Sequence, residues 1–264
     1  MANTTATQEQ KRRFHWPKVA LSERWYRWVG RGVMVLSPLL AFTLVEYLNY
    51  NDPWTGFTPV QIGLNLVWYY LLELVIYFLR GRRVSAAKWS LGLAWGVGMA
   101  NHYLISFRGR TLFPGDFLTL GTAANVAGNY DYSLDRMQGI SLLIFLLALL
   151  ALSLLPREAR IPFAWRRFLP AAGAAAAFLA VFFGTGFVES QGIEPSMWTT
   201  RGNGLALNFN VCLKYMRVEK PEGYSRQALA GLTEGRASDG ASVTVTDLDR
   251  TTRPVDVNVV MNES

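Results

Sequence analysis

The chain has 264 residues, of which 51% are hydrophobic and 17% charged, with a formal net charge of +7. A single cysteine, Cys212, excludes an internal disulfide and any cysteine-based metal cluster; no Walker loop, zinc-ligand spacing or Ser-His-Asp set appears, and two histidines in total argue against the last two. The basic residues are dispersed over segments that flank apolar runs, which argues against nucleic acid as the partner.

Residues 1–31 are basic, with Lys11, Arg12, Arg13, Lys18, Arg24, Arg27 and Arg31, and hold Trp16, Trp25, Tyr26 and Trp28 among them. Such a segment suits the surface of a membrane leaflet, although a disordered tether fits its first part equally well. Five apolar runs follow: Gly32–Leu48, Val60–Leu79, Trp89–Phe107, Gly139–Leu155 and Phe168–Phe187. About 20 apolar residues of helix cross the roughly 30 Å of hydrocarbon, and inside lipid a run must be helical to satisfy its own backbone. The runs therefore predict an all-α domain of five transmembrane helices over residues 32–188.

The loops set the orientation. Arg80, Arg82, Arg83 and Lys88 lie between the second and third runs, and Arg157, Arg160, Arg166 and Arg167 between the fourth and fifth. Only Arg108, Arg110 and Arg136 lie between the third and fourth. By the positive-inside rule the N-terminus is cytoplasmic and the C-terminal tail is outside, in the plasma membrane.

Within the outer segments, Asn51–Gly56 reads as a tight turn. The loop from Arg108 to Asp135 is long, and Phe117–Ala127 is predicted to form a short helix capped by Asp116. Arg108, Arg110 and Asp116 stand at the outer mouth of the third span. Arginine forks bind phosphate bidentately, so these residues are candidates for a phospholipid head group, with ordinary interfacial anchoring as the plainer reading. His102 and Asn101 lie just inside that mouth, as functional candidates or as hydrogen-bond partners of a neighbouring helix. Glu73 is expected to pair with Arg80, Arg82 or Arg83, the alternative being a proton or ion path. Glu46 is expected to reach water.

Residues 189–235 read as an extracellular linker. Gly204–Val218 is predicted helical with Leu205, Phe209, Leu213 and Met216 on one stripe, and Arg226–Thr233 as a second short helix. Ala228-Leu229-Ala230 has the form of a signal-peptidase site, a triplet common by chance. Residues 236–264 end in Pro254–Met261, whose valines suggest a strand buried on both faces, as in a parallel sheet. A lone strand cannot bury itself, so the chain is expected to be the front part of a larger protein.

Two stretches carry a family resemblance. Phe107-Arg108-Gly109-Arg110-Thr111-Leu112-Phe113-Pro114-Gly115-Asp116-Phe117 is followed by Val126-Ala127-Gly128-Asn129-Tyr130. Lys220-Pro221-Glu222-Gly223-Tyr224-Ser225 is followed by Val259-Val260-Met261-Asn262-Glu263-Ser264. With five spans and an outside C-terminus, these resemble the lipoteichoic acid synthase family of Gram-positive bacteria. The resemblance implies that residues 236–264 begin an extracellular α/β domain of the sulfatase and alkaline-phosphatase type. It implies a metal-dependent enzyme, with manganese or magnesium as cofactor, that moves glycerol phosphate from phosphatidylglycerol. Glu263 matches the acidic metal ligand of the family's first-strand motif, at the carboxyl end of a strand where such sites form. The nucleophile and the other Asp and His ligands lie downstream of that motif in the family, so this stretch alone is expected to be catalytically silent. The alternative from another class is a small transporter or membrane scaffold, which draws on Glu73, Asn101 and His102.

Overall fold

The computed structural model describes residues 22–119, 121, 128, 132–156 and 158–216. The chain divides into two units, Met1–Arg217 and Val218–Ser264. The second unit lies outside the described residues. With it lie the predicted helix Arg226–Thr233, the strand Pro254–Met261, the α/β domain start and Glu263.

The described residues are helical and contain no strand. The helices are α1 (Glu23–Leu48), α2 (Pro59–Arg80), α3 (Arg83–Arg108), a 3-10 turn (Pro114–Thr119), α4 (Arg136–Leu154), α5 (Trp165–Gly184), α6 (Phe187–Ser190) and α7 (Leu205–Lys214). Local chemistry sets the boundaries. Ser22 caps α1, while Thr58 with Gln61 and Asp135 with Gln138 form capping boxes for α2 and α4. Gly81 ends α2 at φ +64°, a conformation that carries almost no penalty for glycine.

Four of these helices are long and apolar enough to cross a membrane: Arg24–Leu48, Pro59–Arg80, Arg136–Leu154 and Trp165–Gly184. The expected third crossing, α3, has the length but not the apolarity. Its position explains why. Val84, Ala86, Ala87, Ser90, Leu91, Ala94, Gly98, Asn101 and His102 are all buried against the protein. The face packed on α1 and α2 meets protein rather than lipid, so its hydropathy is free to fall, while Trp89, Leu93 and Val97 remain exposed on the other face. Small residues let it come close: a Cβ on Gly98 would stand 3.1 Å from Val45 Cγ2 and 3.4 Å from Leu48 Cδ1.

Two apolar clusters hold the bundle. One joins Phe42 and Val45 of α1, Phe57, Tyr69 of α2, Leu91 of α3 and Leu205 of α7. The other joins Leu64 of α2, Phe182 of α5, Val188, Ile193, and Leu207 and Val211 of α7. Trp68 packs edge-on against Phe178 and Phe182 at ring separations of 5.2 Å. Most of α5 otherwise faces outward.

Four expectations are corrected. First, α1 begins at Glu23 rather than Gly32, so part of the basic segment is the first turns of the helix; there Arg31 stacks over Trp28 at 5.2 Å. Second, Asp116 does not cap a helix starting at Phe117; of the predicted Phe117–Ala127, residues 120 and 122–127 lie outside the described residues. It sits inside the 3-10 turn, because Pro114 starts that turn and the Asp116 carboxylate accepts the Phe113 N–H at 2.8 Å. Third, α7 is shorter than predicted and turns a different face inward: Leu205, Leu207, Asn208, Val211 and Cys212 are buried, while Leu213 and Met216 are exposed. The aliphatic stripe misplaced the face because Asn208, a polar residue with good partners, belongs to the buried side.

The fourth concerns the two acidic residues inside the spans. Glu73 is 1% exposed and pairs with no arginine; its Oε2 accepts from Ser37 Oγ at 2.5 Å and Ser90 Oγ at 3.2 Å. It lies on the α1–α3 face of α2, where a long side chain cannot snorkel to the helix end. Glu46 is fully buried rather than wetted, because α7 covers it.

Candidate functional site

The ends of α1 and α3 and the starts of α2, α4 and α7 meet in a buried polar network. Its centre is Glu46. Glu46 Oε2 accepts from Asn51 Nδ2 at 2.6 Å and Glu46 Oε1 accepts the Leu205 N–H at 2.7 Å. Asn51 Nδ2 also lies 3.1 Å from Thr200 Oγ1. A second side chain grips the same helix start: Asn65 Oδ1 accepts the Leu207 N–H at 3.0 Å, and Asn65 Nδ2 donates to the Asn203 carbonyl at 2.6 Å. The first turn of a helix leaves its N–H groups without intrahelical partners, and α7 gets two of them satisfied by α1 and α2. Gly204 makes this fit possible. Its φ is +79°, and a Cβ there would stand 2.8 to 3.0 Å from the Asn65 amide.

Asn101 anchors the loop after α3. Its Nδ2 donates to Asn49 Oδ1 at 2.5 Å, and its Oδ1 accepts from Thr111 Oγ1 at 2.8 Å and the Leu112 N–H at 2.6 Å. That positions the Arg110–Asp116 fork, with Nη2 to Oδ1 at 2.5 Å and Nη1 to Oδ2 at 3.1 Å. Burial alone raises the Asp116 pKa. The hydrogen bonds from Arg110 and the Phe113 N–H, with the charges of Arg110 and Arg108, outweigh it and hold the carboxyl below its ordinary value.

His102 occupies the other flank. It is 2% exposed; Nδ1 lies 2.6 Å from the Leu48 carbonyl, and Nε2 lies 3.2 Å from Asp135 Oδ2. Both ring nitrogens thus face acceptors. Tyr50 stacks on the imidazole at 5.3 Å and donates its hydroxyl to the same carboxylate at 3.1 Å. Burial pushes the Asp135 pKa up, but the Gln138 N–H, the Tyr50 hydroxyl and His102 bring it below its ordinary value.

Of the residues predicted to bind a head group, Arg108, Arg110 and Asp116 do come together. Arg110 is engaged by Asp116, leaving Arg108 exposed beside the fork. His102 is separate from them, closed off between α1 and α4. Leu112 and Phe117, which flank the fork in sequence, also line an apolar groove of about 440 Å³ with Trp68, Tyr69, Val97 and Phe209. The Trp68 indole N–H has no hydrogen-bond partner among the described residues. Sequence reasoning missed Glu46, Asn51, Asn65 and Asn203. Their only one-dimensional signal was the density of Asn near helix ends.

Among the described residues no group of three or more His, Cys, Asp or Glu side chains is placed to hold a metal. No known protein family, curated protein or solved structure matches this chain.

Proposed function

We propose that the chain is the membrane domain of a metal-dependent phosphoglycerol transferase resembling the lipoteichoic acid synthases. In this reading α3 is the third of five crossings, the basic loops are cytoplasmic, and the domain carries an extracytoplasmic catalytic domain at the height of lipid head groups. The observation that carries it is the double grip on α7. Glu46 and Asn65, both fully buried, come from two spanning helices and hold the first turn of α7, the last described helix. Such a joint suits a domain whose task is to hold the following segment at a set height. Arg108 near the fork and the apolar groove lined by Leu112 and Phe117 supply what a phospholipid donor needs, a cation for phosphate and a bed for an acyl chain. The polar groups on which a transporter reading draws, Asn101, His102 and Glu73, hold helices and loops to one another.

In the family it resembles, the metal screens phosphate charge and activates the nucleophile, and Glu263 is the residue of this chain that would contribute a ligand. The test uses the complete product of the gene in vesicles containing phosphatidylglycerol. Manganese-dependent release of diacylglycerol is expected; intact protein that releases none with metal present would refute the transferase reading.

A further inference from the structure

At the opposite end of the bundle, α2 and α5 diverge around a lateral cleft of about 650 Å³. Its walls are apolar: Leu71, Leu74 and Val75 on α2 face Ala172, Ala175 and Ala176 on α5. At its mouth stands Arg160, exposed and in no ion pair or hydrogen bond among the described residues. Arg167 lines an adjoining hollow that shares Phe78 and Phe163 with the cleft. Among the described residues Arg80 is engaged with the Ser85 hydroxyl and the face of Trp89. The one described acid of this loop, Glu158, is taken by Arg83. Among the described residues the mouth is therefore cationic without a counter-charge.

The mouth is also built. The Gly81 carbonyl accepts the Ile161 N–H at 2.7 Å, and a Cβ on Gly81 would stand 2.8 Å from the Ile161 carbonyl and 3.0 Å from Arg160 Cγ. The loop bearing Arg160 is thereby fastened to the end of α2 rather than trailing in solvent.

We infer that this cleft binds an anionic phospholipid of the leaflet at the basic end, its phosphate on Arg160 and Arg167 and an acyl chain between α2 and α5. Two features select this occupant over a helix from a second copy of the chain. The cleft lies between spanning helices and opens to the side, where lipid is the medium. Basic pockets between transmembrane helices recognise acidic head groups, each arginine near the surface contributing about a fivefold preference. The site lies at the other end of the bundle from Arg108 and is independent of any donor lipid there.

The experiment places the full chain in nanodiscs with phosphatidic acid or phosphatidylcholine bearing the same acyl-chain diazirine. After photolysis, adducts are mapped to peptides. Phosphatidic acid is expected to label α2 and α5 around Leu74 and Ala175 several-fold more than phosphatidylcholine. Arg160→Gln is expected to lower that excess by about fivefold. Ala175→Trp, which fills the cleft without touching the arginines, is expected to abolish labelling there by either probe. Equal labelling by the two probes would overturn the proposal by showing unselective boundary lipid. So would crosslinks between two copies of the chain at the cleft in place of lipid adducts. A variant that fails to elute as folded protein in size-exclusion chromatography is replaced by Arg167→Gln, whose labelling decides by the same criterion.

Discussion

The carboxylate of Glu46 accepts the backbone N–H of Leu205 at 2.7 Å, joining the end of α1 to the start of α7 across 159 positions of sequence. Glu46→Ala leaves that N–H buried without a partner and the Asn51 amide with Thr200 alone, a loss of about 2–3 kcal/mol. Glu46→Gln costs less, because its amide oxygen still accepts from Leu205 and Asn51 can turn its unpartnered Oδ1 toward the new N–H. Thermal unfolding in detergent should rank wild type above Glu46→Gln above Glu46→Ala; equal midpoints would mean that the contact holds nothing.

Gly204→Ala tests the same joint from the other side. The substitution meets a left-handed φ of +79° and the Asn65 amide at under 3 Å. Strain at such a backbone position costs on the order of 1–3 kcal/mol. Hydrogen exchange at the Leu207 amide should quicken in the variant, because Asn65 must move away from it.

Asn101→Ala removes the acceptor shared by Thr111 and Leu112. The loop carrying the Arg110–Asp116 fork should loosen, with faster exchange of the Leu112 amide and a loss of about 2–3 kcal/mol in stability. His102 variants should leave that amide unchanged, since His102 bonds to Leu48 and Asp135 instead.

Asp116 gives a pH signature. Its pKa is lowered in the fold, so its contribution is fully present above the ordinary carboxylate value of about 3.9 and is lost as pH falls below it. The difference in unfolding midpoint between wild type and Asp116→Asn should be constant at neutral pH and shrink in acid. A difference that grows on acidification contradicts the fork.

Much of the helical frame was legible in the chain. Four of the five apolar runs correspond to helices long and apolar enough to span, and the Asn51–Gly56 turn lies between the first two. The third run became a helix too, but its low apolarity reflects neighbours that no local pattern reveals. The polar residues were misjudged for the same reason. Glu46 and Glu73 looked able to reach water or an arginine when only their own helices were considered. Their partners, Leu205, Ser37 and Ser90, come from other helices, and pairing across such distances leaves no periodicity to read. The stripe assigned to α7 failed because Asn208 is buried by its bonds to Ser196 rather than by hydrophobicity.

The proposed topology has α3 crossing the membrane and the network end outside. Single cysteines in a Cys212→Ser background test it with a membrane-impermeant maleimide, at the exposed positions Thr55, Leu134 and Ala159. Thr55→Cys and Leu134→Cys are expected to label in intact cells, and Ala159→Cys only after permeabilisation. Labelling of Thr55→Cys and Leu134→Cys from opposite sides, or of Ala159→Cys in intact cells, would contradict it.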